Sequence, residues 1–390
     1  MEKYLDKNLE NLKNLCSEGL LDKYKLIIDQ ISIPLTNRCN GYCIMCHACN
    51  IDYKNRTYYN AFPYEISLRN FKKIIRPPKK SLLKMLLRMN LVYESEPTFV
   101  FGTAETLLNN EIYDILKYTK NIYPNCKIRL ISNGTIQPNP GEIVQYIDRI
   151  GFSVDGCTPE TFEYLRTPAK FDHVMSCIRK WDHMATKHNK NFSFGFGTVI
   201  SSANIHELGG IVKLASTFRH IDSVFVQPIN LYGSKSHLSH LLLKELDLDD
   251  LKYFINEAKH ISEEVGVRID GIDSILSPLS ASNEKNTVTF ENSMYCRYMW
   301  NGIISLTETG EFRYFCCYME KKKQKELMMK YNIRNNCSLD EMYNSKNYWL
   351  LRKDMLEGKL ISYCEGCNQS NTGYKLLSEK IVEIGEKFYL

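Results

Sequence analysis

The sequence predicts an α/β fold built on a parallel sheet, and three observations carry that expectation. Six short runs rich in β-branched and aromatic residues recur between residues 26 and 230. Helical patterns separate them. The cysteines gather in two groups, one straight after the first run and one in the last hundred residues. Strands alternating with helices pair in parallel through βαβ crossovers. Six of them make a partial or complete α/β barrel, or an open doubly wound sheet, with the chemistry at the carboxyl ends of the strands.

The elements follow in order. Residues 1–24 read as a polar helix, within an N-terminal helical extension over 1–30. "LIIDQISIPLT" (26–36) reads as a buried first strand. The later strands are "TFVFG" (98–102), "KIRLIS" (127–132), "RIGFSVD" (149–155), "NFSFGFGTVI" (191–200) and "SVFVQPIN" (223–230). Helical patterns lie around 109–121, 141–148, 171–188 and 204–217, giving a core domain over 31–230. The first connection, 51–97, is aromatic and basic. Its piece "RPPKKSLLKMLLRMNLVY" makes a basic amphipathic helix, packed on the sheet with solvated lysines or docked on a membrane surface or anionic partner. Residues 231–290 read as a helical connector followed by a polar loop. Residues 291–390 form a second, smaller domain with a hairpin-like "WNGIISLTETGEFRYFCC" and a helical "SLDEMYNSKNYWLLRKDMLEGKL".

Composition narrows the function classes. The 390 residues are 44% hydrophobic and 24% charged, enough to bury a real core. The net charge of +5 comes from 50 Lys and Arg against 45 Asp and Glu, too balanced to point to nucleic acid. The N-terminus, "MEKYLDKNLENLKNLC", is charged and has no apolar signal-peptide core. No uninterrupted apolar run of about 18 residues predicts a membrane span. These features predict a cytoplasmic protein. In a reducing compartment 14 cysteines point to metal binding or chemistry before disulfides.

The stretch "LTNRCNGYCIMCHACN" (35–50) follows the first strand directly. Its Cys39, Cys43 and Cys46 have the spacing C-x3-C-x2-C. Such a loop can place three thiolates on three corners of a [4Fe–4S] cluster and leave one iron open to a small molecule. A zinc knuckle using Cys39, Cys43, Cys46 and Cys49, with His47 as a further ligand, is the competing reading. The loop "CNGYCIMC", with Met45 before the third cysteine, resembles the signature of radical S-adenosylmethionine (SAM) enzymes. The resemblance implies a partial (β/α)6 TIM-type barrel with a small C-terminal α+β cluster-binding domain. It also implies SAM on the open iron, cleaved to a 5′-deoxyadenosyl radical that takes a hydrogen atom from the substrate.

The resemblance extends along the strand ends. It assigns cofactor contacts to Met45, Glu105, Asn133, Ser153, Asp155 and Arg166. "FGTAETLLN" stands where the family has a Gly-Gly-Glu-Pro turn receiving the SAM amino group; Thr103, Ala104, Glu105 and Thr106 occupy those places. Asn133-Gly134 ends the third strand. Ser153 and Asp155, on one side of the fourth by alternation, suit ribose hydroxyls. Arg166 in "EYLRTP" suits the SAM carboxylate. Asn204 reads as the N-cap of a helix. Gly195-x-Gly197 lacks a third glycine and lies inside a strand pattern, so it is no dinucleotide loop. Gln227 and Asn230 are candidates for substrate contact or for core and turn roles. Cys157, after the fourth strand, is a candidate hydrogen-atom donor.

Cys296, Cys316, Cys317, Cys364 and Cys367 form the second constellation. It resembles the Twitch domain, the shorter relative of the SPASM domain. That resemblance implies one auxiliary [4Fe–4S] cluster held by Cys296, Cys316, Cys364 and Cys367. Adjacent strand residues face opposite ways, so one of Cys316 and Cys317 is a ligand; a zinc set is the alternative. Cys16, Cys126, Cys177 and Cys337 read as ordinary thiols. The resemblance implies oxidation or epimerisation of a polar small molecule such as a sugar or cyclitol, with peptide modification as the alternative. It implies an electron donor such as flavodoxin or ferredoxin. A non-catalytic zinc scaffold is the reading from another class.

Overall fold

The computed structural model describes residues 30–46, 65–76, 97–102, 104–137, 139–188, 191–229, 235–272, 275, 304–306, 312–314, 321–330, 338–343, 345–356 and 359–360. The expected helices over 1–24 and within 77–96 lie outside them. So do His47, Cys49, Thr103, Asn230 and the C-terminal cysteines Cys296, Cys316, Cys317, Cys364 and Cys367.

Seven parallel strands form one sheet in chain order. They are β1 (Gln30–Ser32), β2 (Thr98–Phe101), β3 (Lys127–Ser132), β4 (Arg149–Ser153), β5 (Ser193–Ile200), β6 (Ile221–Pro228) and β7 (Arg268–Asp270). Each pairs in parallel with the next. The chain is an α/β protein of the partial TIM-barrel kind. The connections carry α1 (Leu68–Ile74), α2 (Ile112–Ile122), α3 (Pro140–Val144), α4 (Pro159–Leu165), α5 (Phe171–His188), α6 (Leu208–Ser216) and α7 (Leu248–Val265).

One element departs from the expected six strands. The stretch expected as a connector holds α7 and then β7, which pairs Ser223 with Arg268 and Phe225 with Asp270. Gly266 ends α7 at φ 71°, a left-handed conformation that glycine adopts without steric cost, and turns the chain back onto the sheet. A three-residue strand with a charge at each end carries no readable period.

Alternation divides the sheet into two faces. Phe99, Phe101, Ile128, Leu130, Ile150, Phe152, Phe194, Phe196, Val224 and Val226 are buried on the helix-covered face. There Phe101 meets Phe71 of α1 with ring centroids 6.0 Å apart, and Phe152 meets Trp181 of α5 at 6.1 Å. Each such buried side chain contributes about 2 kcal/mol of transfer free energy. The opposite, concave face is different. Ile131 and Phe225 stay 45% and 48% exposed on it, each beside a glycine in register, Ile131 beside Gly151 and Phe225 beside Gly197. Below them Arg149 of β4 crosses Gly195 of β5 to reach Asp222 and the Ser223 hydroxyl of β6, both at 2.7–2.9 Å. A Cβ at position 195 would lie 2.2 Å from the Arg149 Nη2 and 2.7 Å from the Ser223 carbonyl oxygen, so only glycine fits. Gly195 and Gly197 are thus strand residues, as expected.

In the C-terminal stretch, β8 (Ile304–Leu306) and β9 (Phe312–Tyr314) pair antiparallel. Helices α8 (Lys321–Lys330), α9 (Leu339–Tyr343) and α10 (Lys346–Leu356) follow. Leu327, Met342, Tyr348, Leu351 and Met355 join the same buried apolar cluster as the sheet.

Asp148 locks the start of β3 to α2. Its Oδ2 accepts from the Ile128 N–H at 2.8 Å and from Lys120 Nζ at 3.0 Å. Burial alone would raise this carboxyl, but those donors and Lys127 outweigh it and hold it below its ordinary value of 3.8. A depressed carboxyl stabilises the fold above its unfolded pKa and loses that contribution as pH falls through the folded one. Asp148→Asn should therefore cost about 1 kcal/mol at pH 7 in urea unfolding. The gap from wild type should narrow as pH falls through the depressed folded pKa.

Candidate functional site

The cysteine loop leaves the carboxyl end of β1 and is held from two sides. On one side the Glu105 N–H donates to the Arg38 carbonyl at 3.0 Å, and Arg38 Nη2 donates to the Leu108 carbonyl at 2.6 Å and to Glu65. Asn40 Nδ2 donates to Thr135 Oγ1 at 2.7 Å. On the other side, the Tyr42 N–H donates to the Thr167 carbonyl at 2.7 Å and the Ile44 N–H to the Leu165 carbonyl at 3.1 Å. The Cys46 N–H closes a turn on the Cys43 carbonyl at 3.0 Å. The loop is thereby stretched between the ends of β2 and β3 and the segment after α4.

Cys39, Cys43 and Cys46 are all half-buried on this loop. The Gly41 N–H lies 3.3 Å from Cys39 Sγ. A Cβ at Gly41 would stand 3.6 Å from Cys39 Sγ and 3.7 Å from Cys43 Sγ, so any longer side chain would enter the space between them. Burial pushes the Cys39 thiol up to about 12, and the neighbouring Cys43, Glu105 and Cys46 add to the rise. Burial pushes the Cys43 thiol up too, against the Arg166 guanidinium. Thiols in such a place become thiolates when a metal centre supplies the balancing charge, and binding then releases protons. Among the described residues no three His, Cys, Asp or Glu side chains gather tightly enough for a single metal ion. A multinuclear cluster sets each thiolate on a different iron. The three-thiol donor set suits such a group.

The strand-end residues surround the loop. Met45 is 8% exposed and packs with Ile44, Leu165, Ile229 and Leu241 in a small apolar cluster beside the thiols. Glu105 is fully buried and ties the end of β2 to that of β3. It accepts from the Leu107 N–H at 3.2 Å, the Ser132 hydroxyl at 2.9 Å and the Asn133 N–H at 2.6 Å. Burial raises its carboxyl to about 7 in spite of these donors. Asn133 Nδ2 donates to Asn40 Oδ1 at 2.8 Å and lies 3.9 Å from Cys39 Sγ. Asp155 is fully buried and paired with Arg166, whose Nε stands 2.5 Å from Oδ2. The other carboxylate oxygen accepts from the Val199 N–H at 2.7 Å. Ser153 is half-buried on the concave face, opposite Gly197. Gln227 is exposed.

Two expected roles meet different surroundings. Cys157 turns toward the helix layer: a Cβ on Gly210 of α6 would lie 2.5 Å from its Sγ. Burial and the Glu207 carboxylate push its thiol up to about 12. Asn204 precedes a 3-10 turn but makes no side-chain cap. Its side chain instead bonds the Ser201 N–H at 2.7 Å and the Asp155 and Val199 carbonyls at 2.9 Å, fixing the ends of β4 and β5. Asn40 and the Arg38–Glu65 pair, which hold the loop, were not singled out from the sequence. No spacing marks them, because their partners lie far away in the sequence.

Ala104 stands at φ 51°, the left-handed region, at a position where the resembled family has glycine. The Cβ makes that conformation costly, and glycine removes the cost while gaining some unfolded-state entropy. Ala104→Gly should raise stability by about 0.5–1 kcal/mol in urea unfolding. Unchanged or lower stability would show that position 104 carries no strain.

Residues 33–215 match the family described as the radical SAM superfamily. Over 194 residues the chain is 30% identical to an uncharacterised protein of Methanocaldococcus jannaschii, covering 48% of this chain and 58% of that one. The match thus spans less than two thirds of that relative's length. The GTP 3′,8-cyclase of Syntrophomonas wolfei subsp. wolfei is 22% identical over 332 residues, 83% of this chain and 90% of that protein. Among solved structures, Streptococcus suis SuiB bound to S-adenosylmethionine aligns with TM-score 0.53 and 12% identity over 90% of this chain and 73% of its own. Native anSMEcpe with bound AdoMet aligns with TM-score 0.52 and 14% identity over 92% and 97%. At these identities the structures show a shared fold.

Proposed function

We infer that this chain, whose residues 33–215 match the radical SAM superfamily, is an enzyme whose Cys39, Cys43 and Cys46 hold a [4Fe–4S] cluster that binds SAM. The observation that carries this reading is the loop itself: three half-buried thiols, clamped from both sides at the carboxyl end of β1. Such a cluster, once bound, would supply one-electron reductive cleavage of SAM to methionine and a hydrogen-abstracting 5′-deoxyadenosyl radical. The chain's own residues do the rest. Met45 and its apolar neighbours exclude water beside the cluster. Asn133, Ser153 and Arg166 offer hydrogen-bond donors to the cofactor from the strand ends. Glu105 and Asp155, buried and already bonded to protein donors, hold those ends in place.

Cys296, Cys316, Cys364 and Cys367 hold one auxiliary [4Fe–4S] cluster in this reading, in a Twitch-like domain. The substrate is a polar small molecule, oxidised or epimerised after hydrogen abstraction. The open stretch of concave face around Gly151, Ser153 and Gly197 supports a compact ligand. So does the relative named for GTP, itself a polar small molecule, which aligns over 83% of this chain. A peptide is the second reading, since SuiB has been solved with its precursor peptide SuiA. A small flavodoxin or ferredoxin supplies the electron.

Anaerobic reconstitution tests the reading. Wild-type protein should take up about eight irons and release 5′-deoxyadenosine when given SAM and dithionite. Cys43→Ala should abolish that release. Cys364→Ala should keep about four irons and the release but lose substrate turnover. Colourless protein with stoichiometric zinc would overturn the enzyme reading.

A further inference from the structure

We propose that Arg166 is a positioning residue for the cluster: locked by Asp155, it donates to the Cys43 thiolate and raises the cluster's reduction potential. The proposal rests on the cluster reading above and goes beyond the carboxylate-binding role that resemblance gives this arginine.

The backbone register makes the case first. Tyr42 bonds to Thr167 and Ile44 to Leu165, so Cys43 is set opposite Arg166. The Arg166 N–H ends α4 on the Phe162 carbonyl at 2.8 Å, which fixes where its side chain starts. The side chain is then held at its far end. Nε donates to Asp155 Oδ2 at 2.5 Å. Asp155 is itself fixed by the Val199 N–H at 2.7 Å and, through its carbonyl, by Asn204 Nδ2 at 2.9 Å. The guanidinium cannot swing away, and Nη1 rests 3.8 Å from Cys43 Sγ.

The consequence is electrostatic. Reduction adds one negative charge to the cluster. A hydrogen-bond donor and a fixed cation beside a ligating sulfur favour that added charge, and raise the potential. Asn133 Nδ2, 3.9 Å from Cys39 Sγ, adds a weaker neutral donor on the far side. Asp155 opposes Arg166 from behind, so the two residues should act on the potential with opposite signs.

The experiment is an EPR-monitored redox titration of reconstituted full-length protein without SAM. It follows the signal that changes when SAM is added in a parallel sample. Arg166→Gln should lower the midpoint so that reduction is about tenfold weaker, about 59 mV for a one-electron couple. Asp155→Asn, whose amide oxygen still accepts from Arg166 Nε while its negative charge is gone, should raise the midpoint. A loss of structure alone would not split the two variants in sign. If Arg166→Gln loses its fold by near-ultraviolet circular dichroism, Arg166→Met, which keeps the volume and removes the charge and the donors, replaces it, and a lowered midpoint upholds the proposal. Unchanged midpoints, with only SAM affinity weakened, would overturn it in favour of a carboxylate clamp. Wild-type protein that takes up no iron would overturn the cluster reading, and this proposal with it, a result readily told apart from the first.

Discussion

Holding three cysteines in one desolvated compartment is the constraint on which the site depends. Thiolates there repel one another and lose water, so the free loop has no reason to gather them. What gathers them is backbone pairing. The N–H groups of Tyr42 and Ile44 bond the carbonyls of Thr167 and Leu165, while the Arg38 carbonyl accepts from Glu105. Each bond is of modest net worth, about 1 kcal/mol, but together they fix a short irregular segment that has no ladder of its own. In the cluster reading proposed above, the sulfur positions would therefore be set before a metal centre arrives, and its binding free energy would go into deprotonating the thiols rather than ordering the loop.

The sheet places that loop. Seven strands in chain order bring the carboxyl ends of β1 to β6 to one rim, and the residues beyond them form the surroundings of the thiols. Large aromatic side chains fill the helix-covered face, while the concave face carries Gly151, Ser153, Gly197 and Arg149 beside the half-exposed Ile131 and Phe225. The Arg149 crossing over Gly195 shows the same division at finer scale, since a Cβ on β5 would abolish it. Cysteine loop, Glu105, Asn133, Asp155 and Arg166 meet because each lies at or just past the end of a different strand or helix.

Much of the fold was legible because its signals are local. β3 and α5 match their expected spans, and β2, β4, β5 and β6 differ by a residue or two at their ends. Their apolar runs are long and bounded by turn residues. β7 was missed because three residues beside a charged helix carry no period. At the site, the spacing of Cys39, Cys43 and Cys46 was readable for the same local reason. The partners of the surrounding residues were not. Glu105 gives its carboxylate to Ser132 and Asn133 as well as the nearby Leu107, and Asp155 gives its own to Val199 and to Arg166 at the end of α4; the bonds to Ser132, Asn133 and Val199 join strand ends far apart in sequence. Cys157 read as a candidate hydrogen-atom donor from its place after β4, but its thiol lies against Gly210 of α6. Asn204 looked like a helix cap, and its amide instead joins the ends of β4 and β5.

The central claim is that Cys39, Cys43 and Cys46 leave one iron of their cluster open to SAM. Electron–nuclear double resonance on the reduced protein, with SAM labelled by 15N at the amino group and 17O at the carboxylate, tests it most directly. The account predicts hyperfine coupling from both labels in the wild type. An EPR-active cluster that shows no coupling to either label would contradict it.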